Sequence, residues 1–235
     1  MKRKLKTKYK KMIINGSILV LVLLFGFSMI PIGQKIYYEK EASKVQEMII
    51  NQVIRTDVIE GETKQQIDFA KLKVMNPDVV GWIEIPKTNI NYAIVKGQDN
   101  SFYLNHDLLR KYNIYGSVFM NYQNSSDFSD NNTILFGHNT YKDTIFGELI
   151  KIQEGKLGND IKIIIHTEAS TMEYLVYAAY ITDESDETPL DKHQAYFESN
   201  HSLFQKRENL KQTLTLSTCY YDETKRVIIH AGKMG

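Results

Sequence analysis

The alternation of apolar and polar positions divides the chain into three textures. Met12 to Ile32, MIINGSILVLVLLFGFSMIPI, is apolar except for Asn15, Ser17 and Ser28, without the polar stripe a soluble core helix carries. At about 1.5 Å per residue, a helix over those 21 residues reaches roughly 30 Å, the thickness of a bilayer's hydrocarbon core. The second texture runs from 36 to 55, where apolar residues at 45, 48, 49 and 53 recur among charges with a helical period. A further helical stretch, about 63 to 75, ends at Asn76-Pro77, where the proline ring opposes continuation. These two predict a stalk and a helical cap ahead of the main domain.

After Pro77 the third texture sets in, short runs rich in Val, Ile, Tyr and Phe separated by Asn, Asp, Gly and Lys. Strands are predicted at 80–85, 90–95, 117–121, 133–136, 160–166, 173–181, 213–218 and 226–230. Eight short strands without regular intervening helices point to a mainly β fold, an antiparallel barrel or sandwich. Segment 191–210, DKHQAYFESNHSLFQKRENL, interrupts the pattern and reads as a helix between strands. The predicted organisation is a tail over 1–11, a transmembrane anchor over 12–32, a stalk with N-terminal helices over 33–76 and a β domain over 77–235.

Charge sharpens the reading of the first texture. Among 235 residues, 29 Lys and Arg face 28 Asp and Glu, but residues 1–11 hold seven bases and no acid. The remainder therefore has 22 bases against 28 acids, a net of −6 beside a tail of +7. A basic cluster abutting a spanning helix stays cytoplasmic, which predicts a single-pass protein exporting everything after about residue 33. The cluster has its explanation in topology and anionic lipid, so no nucleic-acid partner is expected. A cleaved signal peptide is the alternative, yet the run is longer than a usual h-region and no small-x-small site follows it.

The single Cys excludes an internal disulfide and a Cys-rich zinc site. Cys219 ends the strand TLTLST, where a side chain can leave the sheet and face a cleft. Seven residues on, Arg226 opens the next strand; if the two strands pair, Cys and Arg lie side by side at one rim. A guanidinium there favours thiolate and can hold a developing oxyanion. Six histidines could serve as partner: His106, His138, His166, His193, His201 and His230. His138 stands out in TILFGHNT, where an apolar strand stops at Gly137 and delivers the imidazole at its end. By itself a His after a strand is more often structural, and a lone Cys is equally a small buried hydrophobe. No H-x-H or H-E-x-x-H pattern suggests a metal, and no dense acidic loop suggests calcium.

TLSTC followed by Arg226, with FGHN some 80 residues earlier, resembles the sortases, membrane-anchored cysteine transpeptidases of Gram-positive bacteria. The resemblance extends over NPDVVGWIEIP (76–86), TNINYAIV (88–95), the GSVFMN strand and ILFGHNT. Two helices before the barrel, the helix-bearing stretch before TLSTC, and STC itself are similar to class B. The Cys-to-Arg interval of seven residues is short, and Lys225 beside Arg226 leaves two candidate cations.

The resemblance implies a closed antiparallel β-barrel of about eight strands and no cofactor. It also implies roles. Cys219 attacks the carbonyl after Thr in a C-terminal sorting signal, forming a thioester. His138 protonates the leaving amine and later deprotonates the incoming one, and Arg226 stabilises the oxyanion. Ser217, two residues before the Cys, is a candidate substrate contact or a plain strand hydroxyl. The implied partners are secreted proteins with a C-terminal sorting motif, of an N-P-x-T-x or S/P-P-x-T-G kind, and an amine of the peptidoglycan cross-bridge. A surface cysteine peptidase that only hydrolyses, or a non-catalytic wall-binding module, are the alternatives.

Overall fold

The computed structural model describes residues 2–59, 62–140, 144–183, 201–204, 212–219 and 224–234; for 2–8, 56–59, 62–65, 201–204 and 219 it describes the backbone. The chain divides into two compact units, Met1–Ser43 and Lys44–Gly235. The first is helical. Helix α1 (Lys2–Val53) begins there and carries the apolar run, whose large side chains stay exposed. Among the described residues it is the one helix long and apolar enough to cross a membrane.

In the second unit the end of α1 buries Ile49 and Val53. Strands β1 (Ile54–Ile59) and β2 (Glu62–Ile67) then form an antiparallel hairpin with Ile54 opposite Ile67. The helix predicted from 63 starts later, as α2 (Phe69–Met75). Residues 62–67 spend their backbone groups on β1, and Asp68 supplies the cap: its Oδ1 accepts from the Lys71 N–H at 3.0 Å. The helix ends at Asn76, one residue before Pro77, as expected.

Nine strands follow, interleaved with a 3-10 turn (Phe102–Leu104) and a short helix α3 (Leu149–Gln153). They are β3 (Val79–Glu84), β4 (Asn91–Val95), β5 (Val118–Met120), β6 (Asn132–Phe136), β7 (Lys162–His166), β8 (Thr171–Asp183), β9 (His201–Phe204), β10 (Thr213–Cys219) and β11 (Lys225–Lys233). Eight are the predicted strands, their ends moved by a few residues. Their order is β11-β10-β6-β5-β4-β3-β7-β8, and β8 pairs back onto β11, which closes the barrel. Six seams are antiparallel; β4–β5 and β6–β10 are parallel, so the expected uniform antiparallel ring holds except there. β9 attaches to β8 outside the ring. Within the segment predicted as a helix, residues 201–204 are this strand instead, recruited by the edge of β8; 191–200 and 205–210 lie outside the described residues.

The barrel encloses one core and carries a second on its outer wall, as strand alternation requires. Ile83, Ile94, Leu135, Ile163, Leu216 and Ile229 point inside. Their strand neighbours Trp82, Ala93 and Val95 face outward onto Ile49 and Val53 of α1 and Phe69 and Leu72 of α2.

Candidate active site

Three strand ends converge at one rim. β6 and β10 run parallel with Ser217 opposite Phe136, and just beyond, the Gly137 N–H donates to Ser217 O at 3.3 Å. His138 stands two residues past Phe136 and Cys219 two past Ser217, so their backbones arrive at the same level. On the other edge of β10, the antiparallel register sets Cys219 opposite Arg226. The predicted pairing of the Cys and Arg strands is thus present, and a parallel seam adds the His to the same rim.

A cleft of about 220 Å³ opens there. His138, Ser217 and Arg226 line it, together with Asn100, Leu104 and Phe136. Leu214 and Leu216 point into the barrel, so the alternation of β10 turns Ser217 to the outer, cleft side. Arg226 is half-buried, and its Nη1 donates to Lys225 O at 3.2 Å. Lys225 is exposed and is not among the residues lining the cleft, so of the two candidate cations Arg226 is the one at the site.

His138 owes its place to Gly137. A Cβ at 137 would meet Phe146 Cδ2 at 2.8 Å and Ile145 Cγ2 at 3.0 Å, both on the segment that folds back after the His. Phe146 N–H donates to His138 O at 3.1 Å, which pins the main chain. The imidazole Nε2 lies 2.7 Å from Leu104 O. Of the other histidines, His106 stacks on Phe102 at 4.0 Å, His166 faces Glu84 at 3.5 Å, and His230 is buried between Thr215 and Tyr180. His201 lies in β9, and His193 lies outside the described residues.

Asn100 and Leu104 were not singled out from the sequence. They belong to the loop after β4, whose turn chemistry was visible: Asp99 Oδ1 accepts from Ser101 N–H at 2.7 Å and Phe102 N–H at 2.8 Å, which caps the 3-10 turn. These bonds to the Asp99 carboxylate hold its pKa below the usual range. The turn is fixed from behind by Tyr103, fully buried, whose hydroxyl donates to Asp78 Oδ2 at 2.6 Å and accepts from Asn76 Nδ2 at 2.9 Å. Burial first, and then the bond to Asp78, push the Tyr103 phenol up to about 12. Among the described residues no group of three His, Cys, Asp or Glu is placed to hold a metal ion.

A half-buried imidazole, a guanidinium and a strand hydroxyl around one cleft can exchange protons and stabilise a developing oxyanion, which is the equipment of acyl transfer. Comparison with known proteins agrees on the fold and the family. The Sortase domain family model matches residues 83–234. Sortase B of Listeria monocytogenes is 28% identical over 231 residues, covering 90% of this chain and 92% of that one. Sortase B of Staphylococcus aureus is 26% identical over 234 residues, covering 93% and 94%. The crystal structure of sortase B from Bacillus anthracis superposes with a TM-score of 0.66 at 26% identity, over 84% of this chain and 97% of that one.

Proposed function

Because the chain belongs to the sortase family, class B, we propose that it is a membrane-anchored transpeptidase with Cys219 as nucleophile, His138 as proton carrier and Arg226 as counter-charge to the oxyanion. The observation that carries this reading is the double register of β10. One edge sets Cys219 opposite Arg226, and the other brings His138 level with it.

In the proposed reaction the Cys219 thiolate adds to the carbonyl carbon after Thr of a sorting signal, giving a tetrahedral oxyanion beside the Arg226 guanidinium. The C–N bond then breaks, the leaving amine takes a proton from His138, and a thioester remains. An incoming amine of the peptidoglycan cross-bridge attacks the thioester, gives its proton to His138 and expels the thiolate, so the enzyme returns unchanged. Removing one preorganised oxyanion donor costs on the order of 3 kcal/mol in the barrier, which is the contribution asked of Arg226. Ser217, which lines the cleft with Phe136 and Arg226, serves as a substrate contact.

The apolar part of α1 anchors the protein. The basic tail stays in the cytoplasm and the β domain works outside, where secreted substrates and wall precursors both pass. The deciding experiment supplies the full chain in detergent with an N-P-x-T-x peptide, with and without an oligoglycine or diamino acid amine. Ligated product that depends on the amine, and loss of all cleavage in Cys219→Ala, are expected. Hydrolysis alone would indicate a peptidase, and cleavage surviving Cys219→Ala would end the thiol mechanism.

A further inference from the structure

The hydrogen-bond partner of His138 fixes where its proton sits. Leu104 O, 2.7 Å from Nε2, is a carbonyl and only accepts, so Nε2 carries the hydrogen. Nδ1 is then the ring nitrogen left to take and give a proton. The position of that carbonyl is set in turn by the loop that presents it. Asp99 caps one side of the turn and the Tyr103 side chain is buried behind it. Tyr103 O accepts from the Ser117 N–H at 3.0 Å.

Gly116 sits against this turn, next to Ser117. Its φ is +57°, and a Cβ there would lie 2.3 Å from Tyr103 O, 2.5 Å from Leu104 O and 2.7 Å from Leu104 C. All three are main-chain atoms of an anchored turn, so they cannot swing aside as the end of a side chain would. Gly155 and Gly158 share the left-handed backbone, with φ of +72° and +84°, but a Cβ on either meets nothing within 4 Å.

We propose that Gly116 is a positioning residue. Its missing side chain lets the Leu104 carbonyl close on His138 Nε2, which holds the imidazole in the Nε2–H form and leaves Nδ1 free for proton transfer. This rests on the reading of His138 as proton carrier. Any side chain at 116 displaces the Tyr103–Leu104 backbone, loosens the bond to Nε2 and releases the ring to the other tautomer.

The test is nitrogen-15 NMR of histidine-labelled full chain in detergent micelles, with His138→Ala to assign the signal. The wild type is expected in the Nε2–H form. In Gly116→Ala the tautomer ratio should move toward Nδ1–H by about three- to tenfold, the worth of one ordinary hydrogen bond. Its kcat on an N-P-x-T-x peptide should fall more than its KM rises. Gly155→Ala and Gly158→Ala carry the same backbone penalty without the contact and should leave tautomer and turnover unchanged. An Nδ1–H ring in the wild type overturns the proposal whether or not Gly116→Ala folds. So does an unmoved ratio in folded Gly116→Ala, or an equal shift in Gly155→Ala. Turnover retained by His138→Ala overturns the catalytic role instead, and the tautomer data tell that failure from a failure of the geometry.

Discussion

Replacing Gly137 by Ala tests how tightly the barrel core and the candidate site are joined. The φ of Gly137 is not in the left-handed region, so Ala is permitted by the backbone. The added Cβ, however, would stand 2.8 Å from Phe146 Cδ2, 2.9 Å from its Cγ and 3.0 Å from Ile145 Cγ2. Carbon atoms prefer about 3.5–4.0 Å, so these groups must retreat by roughly 1 Å. Phe146 is fully buried in the barrel core, where the space to retreat does not exist. Overpacking of this size costs about 1–3 kcal/mol. The stiffer unfolded chain returns about 0.4–1 kcal/mol of that. A net loss of about 1–2 kcal/mol lowers the melting temperature of a unit this size by about 2–8 °C. The shift also passes to His138 through the Phe146 N–H to His138 O bond. A misplacement near 1 Å typically costs about a hundredfold in rate. The buried Trp82, the single tryptophan, reports unfolding by fluorescence, and peptide cleavage reports turnover. A Gly137→Ala protein as stable and as active as the wild type would refute the reasoning.

Three further outcomes are expected. Arg226→Ala should lower kcat by about 10²–10³ while Cys219 still reacts with an alkylating agent, and Lys225→Ala should leave both turnover and alkylation as in the wild type; the reverse pattern in peptide kinetics would reassign the cation. Burial holds Tyr174, like Tyr103, neutral up to about 12, while an unfolded chain loses those protons near 10. The native state therefore binds more protons across that window, and stability is full below pH about 10 and falls as pH rises toward 12. Urea midpoints at pH 8 and 11 should show a smaller fall in Tyr174→Phe than in the wild type. Finally, the Thr215 hydroxyl donates to Asn132 Oδ1 at 2.8 Å and meets His230 Nδ1 at 2.8 Å, binding β6, β10 and β11 together. Thr215→Val should cost about 1–3 kcal/mol in urea unfolding without changing KM for the peptide.

What could be read from the sequence followed locality. The strands of the ring are legible as short apolar runs, and most plainly where alternate residues are buried, in β6, β7 and the first half of β8, with Met172, Tyr174 and Val176 buried between more exposed neighbours. The Cys219–Arg226 pairing is legible because the two positions flank one short connection. The hairpin β1–β2 is not, since four of the six residues of ETKQQI, Glu62, Lys64, Gln65 and Gln66, are straight-chain polar ones that favour helix in isolation, and only the partner strand decides otherwise. The seam that brings His138 to the rim leaves no local mark either. Parallel pairing of Phe136 with Ser217 joins positions 81 apart in the chain. Asn100 and Leu104 were invisible for a related reason: their loop announces a turn, but where a turn points is settled by what it packs against, here Tyr103 on Asn76 and Asp78. The motif match supplied His138 where the spacing of residues could not.

That 81-residue seam has a consequence for the order of events when the protein is made. Among the described residues β10 and β11 are the last two strands, and β6 waits for β10 as its second neighbour. Contacts that close so long a loop form late, after local hairpins and helices. Synthesis from the N-terminus therefore presents His138 long before Cys219. A chain halted before residue 213 lacks both strands that carry Cys219 and Arg226, so the rim is complete only when nearly the whole chain has been made.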